Sequence, residues 1–223
     1  MQQQPVLNGY SINEEIAHSV THGIGLLLSV VGLAMLVVYS RMYGDAWHIV
    51  SSSIYGATLI ALYGASTLYH AVTIPGLKKV LQKIDHAAIF LLIAGTYTPF
   101  TLVNLRGGWG WTLFGMVWSV AIAGVIMELI VKQRYHRISL GLYLGLGWLV
   151  MIAIGPMIDN VATGGLVLLV AGGLFYSLGV IFYVWKTLLY HHAIWHLFVL
   201  AGSACHFFAV LMYVIPGATA VNS

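Results

Sequence analysis

The chain has 223 residues, of which 60% are apolar and only 7% are charged, and its mean hydropathy is +0.92. Soluble domains carry about 25% charged residues, and a soluble protein of this length must cover its surface with polar groups. The composition therefore excludes a soluble globular protein, a disordered chain and a coiled coil. The net positive charge comes from only nine basic and six acidic residues. It therefore indicates basic loops at an anionic membrane surface and no nucleic-acid partner.

Seven stretches are apolar and close to the roughly 20 residues that cross a bilayer as a helix. They cover residues 18–40, 48–71, 85–104, 110–131, 138–156, 165–186 and 193–215. The sequence predicts an all-α integral membrane protein, a seven-helix bundle in the inner or plasma membrane. The membrane domain is expected at 18–215, between short tails at 1–17 and 216–223. The oligomeric state stays open, and membrane lipid is the expected partner.

Basic residues divide unequally between the two sides of this bundle. The side of the N-terminus and of the loops after spans 2, 4 and 6 carries seven: Lys78, Lys79, Lys83, Lys132, Arg134, Arg137 and Lys186. The other side carries two, Arg41 and Arg106. Because the side richer in Lys and Arg stays in the cytoplasm, we expect a cytoplasmic N-terminus and an external C-terminus.

Ten histidines outnumber six acids, and Cys205 is the single cysteine. A multi-cysteine metal site is excluded, so imidazoles must supply most ligands of any bound metal. His192 and His196 open span 7 four residues apart, on one helix face. His70 ends span 2, and Asp85 opens span 3. With the predicted orientation, all these side chains lie at the cytoplasmic edge, which predicts a metal site there.

Three histidines with one open position are typical of a catalytic zinc site. In this interpretation His70, His192 and His196 bind the metal, and Asp85 accepts a hydrogen bond or a proton from a bound water. Ser66 lies one turn before His70 and could donate to a developing oxyanion. Two simpler interpretations remain open: Asp85 as a surface acid paired with Lys83, and Ser66 as a hydroxyl bonded to its own helix.

Span 1 offers a second cluster, formed by Glu15, His18 and His22 on one helix face. These residues could form a second metal site, or they could orient the ligands of the first through hydrogen bonds. We favour the supporting role. His206 lies about 15 Å deeper than His196 along its helix, so it cannot share a metal ion with it, and we expect it to be buried and hydrogen-bonded.

Glycines are expected to let helices approach closely in the bilayer. Gly141 and Gly145 form a small-xxx-small pair in span 5, and Gly172, Gly173 and Gly179 lie along span 6.

Four runs of the sequence resemble the bacterial haemolysin III branch of the progestin and adipoQ receptor family. They are EEIAHSVTHGIG at 14–25, STLYH at 66–70, KIDHAAIFLLIAGTYTPF at 83–100 and HAIWHLFVLAGSACHF at 192–207. The resemblance implies seven helices, a cytoplasmic N-terminus and zinc on His70, His192 and His196, with Ser66 and Asp85 as the motif serine and aspartate. His18 is a departure, because the family usually has Asn at that position.

Two functions follow as hypotheses. The resemblance, which extends to the alkaline ceramidases, implies zinc-dependent hydrolysis of the amide bond in a ceramide-like membrane lipid, with Asp85 and Ser66 as catalytic residues. The alternative is a non-enzymatic membrane-homeostasis sensor, a receptor-like protein or a cytolytic haemolysin, in which zinc only ties helices together. A lipid-sized cavity beside the metal site favours the first hypothesis.

Overall fold

The structure is a computed structural model that describes residues 9–131 and 136–215, and its regular elements in these ranges are all helices. The helices are α1 Ile12–Tyr43, α2 Ala46–Ala71, α3 Pro75–Pro99, α4 Gly108–Ile130, α5 His136–Gly147, α6 Ile154–Asn160, α7 Thr163–Val184 and α8 His191–Tyr213. They form seven segments long and apolar enough to cross a membrane. The predicted all-α class with seven spans is confirmed. Lys132, Arg134 and the tail 216–223 lie outside the described residues.

The first helix begins at Ile12, six residues before the span predicted from hydropathy. Ser11 caps it: the Glu14 amide donates to the Ser11 hydroxyl, and the Ser11 amide and hydroxyl donate to the Glu14 carboxylate, both at 2.9 Å. This reciprocal cap satisfies amide groups that the helix itself leaves unpaired. The helix therefore extends past the apolar run and carries Glu15 into the bundle.

The inward face of α1 is mostly polar or small, with Leu36 as the exception, and its outward face is apolar. The buried residues recur every three or four positions: Glu15, His18, His22, Gly25, Ser29, Gly32, Leu36 and Ser40. The residues turned away include Val20, Ile24 and Leu28, each more than half exposed. Lipid is as apolar as these side chains, so the burial of apolar surface does not decide which face packs inward. Close packing and polar contacts decide it.

Tyr97 of α3 lies where the fifth span is interrupted. This span, Arg137–Asn160, consists of α5, a 3₁₀ turn at Leu149–Ala153 and α6. The Tyr97 hydroxyl donates to the Gly147 carbonyl at 2.8 Å and accepts from the Val150 amide at 2.9 Å. It thus satisfies backbone groups that the break releases, which is a requirement inside a bilayer.

One end of the bundle brings four helix ends together. The first turns of α1 and α8, the last turn of α2 and the N-terminal half of α3 meet there, while α1 packs against α2 and α8, and α3 packs against α2 and α4. The histidine-rich parts of the sequence are therefore neighbours in space.

Candidate metal centre

His70, His192 and His196 meet at this end of the bundle. All three are buried, and one nitrogen of each lies within 4.8 Å of the corresponding nitrogens of the other two. The ring centroids are 5.2 Å apart for His70–His192 and for His70–His196, and 4.6 Å apart for His192–His196. Two helices distant in sequence thus supply a cluster that could hold a metal ion.

The hydrogen bonds of this cluster leave lone pairs available for a metal. His70 Nδ1 lies 2.6 Å from the Glu15 carboxylate, and His196 Nδ1 lies 3.2 Å from the His18 carbonyl. Because these oxygens are acceptors, each Nδ1 donates, and each Nε2 keeps its lone pair. His70 Nε2 and His192 Nδ1 have no hydrogen-bond partner within the described part of the chain. Buried unpaired nitrogens of neutral imidazole fit a metal site.

Lys78 is a member of the site that the sequence analysis counted only as a loop charge. It is 2% exposed, its ammonium lies 3.0 Å from the Glu15 carboxylate, and it donates to the Tyr69 carbonyl at 2.8 Å. The ammonium balances the charge of the acid that orients His70. The helical period could have revealed it, because Lys78 lies two turns before Asp85 on α3.

His18 and His22 both lie at the centre. His18 is fully buried beside His70, with ring centroids 4.7 Å apart. His22 stacks on His196, with centroids 3.4 Å apart. The ligand atoms of Glu15, His18 and His70 also lie within 4.8 Å of one another and form a second group able to hold a metal ion.

Tyr10 covers the cluster from the N-terminal side. Its ring centroid lies 4.8 Å from that of His18 and 5.5 Å from that of His192. Burial raises the pKa of the Tyr10 phenol above its ordinary value, so the phenol stays protonated at neutral pH. The sequence analysis did not single out this residue, because an aromatic residue near a span end is typical of the membrane interface.

A cavity of about 130 Å³ adjoins the cluster. Its wall includes His192, His196, Ser66 and Asp85. Ser66 and Asp85 are both buried, and Asp85 Oδ2 lies 3.8 Å from His86 Nε2. The two residues expected to act beside the metal therefore border the same space as two of its candidate ligands.

Lys83 and His206 are the remaining polar residues that the sequence analysis named. Lys83 donates to the Leu129 carbonyl at 2.8 Å, away from the cavity. His206 is buried, its Nε2 lies 3.1 Å from the Leu169 carbonyl, and it borders the far part of the cavity. The expectation of a buried, hydrogen-bonded His206 is confirmed.

Comparison with known proteins assigns the family. The family described as Haemolysin-III related matches residues 10–207, which is most of the chain. The chain belongs to this family. It is 48% identical over 206 residues to the Hemolysin-3 homolog of Bacillus subtilis (strain 168), and this match covers 92% of the chain and 97% of the relative.

Two further relatives extend this comparison. Hemolysin-3 of Bacillus cereus is 46% identical over 208 residues, which are 93% of the chain and 95% of that protein. The monocyte to macrophage differentiation factor of Homo sapiens is 31% identical over 214 residues, which are 92% of the chain and 87% of that protein. The family membership and the seven apolar helices establish a multi-pass membrane protein.

Proposed function

We propose that this protein hydrolyses an acyl bond of a membrane lipid, and that the bond is an amide of the ceramide type. His70, His192 and His196 would bind a zinc ion, for which imidazole is a suitable ligand. The main support is the cavity beside the cluster, because Asp85, Ser66, His192 and His196 all line it. The family resemblance supplies the substrate class.

The residues at the cavity have complementary chemistry. A zinc ion with three imidazole ligands and one open position activates water and polarises a carbonyl group. The Asp85 carboxylate accepts a proton as general base, and the Ser66 hydroxyl donates to the substrate oxygen. Glu15 holds the His70 ring through Nδ1, with Lys78 as its counterion, and so fixes the direction of the His70 lone pair.

The orientation of the chain in the membrane is part of this proposal. With the N-terminus in the cytoplasm, the cluster faces the cytoplasmic leaflet, from which a lipid would enter the bundle. The unequal distribution of Lys and Arg residues supports this orientation.

A second candidate function is non-enzymatic. In a sensor, receptor-like protein or haemolysin, a metal at the same histidines would only hold α2 and α8 together. The buried ion pair of Lys78 and Glu15 favours this candidate, because it gives the centre a rigid frame with no need for a substrate. The word hemolysin in the names of the Bacillus relatives adds cytolysis to the same candidate.

Asp85→Asn separates the two candidates. The amide keeps the shape and hydrogen-bonding capacity of the side chain but cannot accept the proton. We expect the purified variant to keep its zinc and to release fatty acid from a membrane lipid extract about 10²–10⁴-fold more slowly than the unmodified protein. A metal chelator should abolish release from the unmodified protein.

Asp159→Asn is the matched control, because Asp159 is exposed on α6. It should hydrolyse lipid like the unmodified protein. Equal rates for Asp85→Asn and Asp159→Asn at equal zinc content would contradict the hydrolase and support the structural metal site.

A further inference from the structure

His86 follows Asp85 directly in the chain, and both residues line the cavity beside the metal cluster. The His86 side chain is buried, and its Nε2 lies 3.8 Å from Asp85 Oδ2. Neighbouring residues of a helix point in different directions, so a space that both line must extend around this turn of α3. The imidazole therefore lies within reach of the acid and of a substrate bound in the cavity.

Two tyrosine hydroxyls that line the cavity already bond protein atoms. The Tyr143 hydroxyl donates to the His86 carbonyl at 3.0 Å, which holds this turn of α3 against α5. The Tyr176 hydroxyl lies 2.9 Å from the Ser203 hydroxyl. An imidazole is better suited than either phenol to pass on a proton, because its two nitrogens can accept one proton and release another near neutral pH.

Four histidines besides His86 line the cavity in the described part of the chain. Two of them are the candidate ligands on α8, and the His22 ring stacks on one of these, His196, with centroids 3.4 Å apart. His206 lies about 15 Å further along α8 than His196. His86 is therefore the cavity histidine that adjoins Asp85 from outside the metal cluster.

Hydrolysis of an amide requires that a proton reach the leaving nitrogen. The oxygen of water bonds the carbonyl carbon, and the C–N bond breaks. Water loses one proton in this exchange, and the nitrogen must gain one, because a nitrogen anion is too basic to leave. In the proposed function Asp85 accepts the proton of water, but no residue is yet assigned to protonate the nitrogen.

We propose that His86 carries this proton from Asp85 to the leaving nitrogen. The Asp85 carboxylate takes one proton from the attacking water, transfers it to His86 Nε2 and is ionised again. His86 then donates a proton to the nitrogen as the C–N bond breaks and returns to neutral imidazole, while the second proton of water stays on the fatty acid. The 3.8 Å separation exceeds a hydrogen bond, so the transfer requires a side-chain movement of about 1 Å. This inference rests on the proposed hydrolase and assigns the residue that suits it to amides.

The leaving group of the substrate separates this relay from the rest of the reaction. Ceramide releases an amine that needs a proton, whereas a nitrophenyl ester of the same fatty acid releases a stable anion that needs none. With the purified protein in detergent, we expect His86→Gln to hydrolyse ceramide about 10²–10⁴-fold more slowly and the ester at close to the unmodified rate. Asp85→Asn should slow both reactions, because Asp85 takes the proton of water in each.

His48→Gln is the matched control. His48 also lies beside an aspartate, with Nδ1 2.8 Å from Asp45 Oδ1, but at the other end of α2 from the cluster, so both rates should stay unchanged. Equal slowing of ceramide and ester by His86→Gln would show a merely structural role and overturn the proposal. An unchanged ceramide rate would overturn it too, because Asp85 would then move the proton alone. If the unmodified protein cleaves neither substrate, the hydrolase itself is contradicted.

Nitrogen NMR of the purified protein with isotope-labelled histidine needs no His86 variant, so it tests the contact even if His86→Gln fails to fold. The chemical shift of a ring nitrogen responds to a neighbouring carboxylate. We expect the His86 signal to shift in Asp85→Asn and to keep its position in Asp159→Asn. If no histidine signal moves in Asp85→Asn, the two side chains are not in contact and the relay is refuted, whatever the protein does to lipid.

Discussion

Lys78 shows how one residue can fix the geometry of a candidate metal centre without itself being a candidate ligand. Its ammonium touches Glu15, and Glu15 in turn bonds His70. A lone carboxylate at this depth would be costly, because few groups around it can replace water. With Lys78 present, the Glu15 carboxylate can accept a hydrogen bond from His70 Nδ1, so that the opposite nitrogen of His70 is directed toward the cluster.

Lys78→Met should therefore destabilise the protein. The change keeps the length of the side chain but leaves Glu15 without its counterion, and breaking a buried ion pair from one side costs about 3–5 kcal/mol. We expect a lower midpoint of thermal unfolding for the purified protein in detergent. The exposed neighbour Lys79 gives the control: if Lys79→Met lowers the midpoint equally, the buried pair is not the cause.

At the scale of the helices, small residues matter only where a neighbouring helix approaches. A Cβ atom at Gly172 of α7 would lie 2.4 Å from the His206 ring and 3.1 Å from the Gly202 carbonyl of α8. A Cβ atom at Gly141 of α5 would meet no atom within 4 Å in the described part of the chain. The expected close approach is thus present at α7 and absent at the exposed pair of α5.

Gly172→Ala should accordingly weaken the contact between α7 and α8. Forcing a methyl group into a filled space costs about 1–3 kcal/mol, and the His206 ring must move to admit it. Gly141→Ala should leave stability unchanged or raise it slightly, because Ala favours helix more than Gly does. Thermal unfolding of the two variants side by side tests this, and equal midpoints would contradict the packing argument.

The seven spans could be predicted from hydropathy alone, because a bilayer sets both the length and the composition of a spanning helix. Two details of the helices could not be predicted from hydropathy. The start of α1 at Ile12 depends on the cap between Ser11 and Glu14, which lies outside the apolar run. The break of the fifth span depends on Tyr97, a residue distant in sequence, whose hydroxyl supplies the missing backbone hydrogen bonds.

At the scale of the whole molecule, the orientation of the chain decides on which side of the membrane the candidate metal centre lies. A reporter that fluoresces only in the cytoplasm should stay dark when fused after residue 223. The same reporter fused after residue 187, beyond α7, should be bright, because the chain has then crossed the membrane six times. A bright fusion at the C-terminus would reverse the orientation or require an even number of spans.

The convergence of His70, His192 and His196 could be predicted because helical spacing and membrane depth are both linear in sequence. The positions of the helices relative to one another in the membrane plane do not follow from spacing in the sequence. Whether α1 lies beside α2 and α8 is decided by packing, and that packing brings the His18 ring next to His70 and the Tyr10 ring next to His18 and His192. The sequence identified His18 as a polar residue at the right membrane depth, but its distances from the other histidine rings could be read only from the structure.

The centre joins the first and the last helices of the bundle, since His196 bonds the His18 carbonyl across 178 positions of the chain. Ribosomes add about 5–20 residues per second, so His18 of α1 waits roughly 9–36 s and His70 of α2 roughly 6–25 s for His196 of α8. Lys78 is made early and can neutralise Glu15 during this interval, whereas the imidazoles of α8 do not yet exist. Any metal that uses His192 and His196 is consequently loaded after translation of the final helix, and a ribosome that stalls before it leaves an apo intermediate with ionisable groups inside the bilayer.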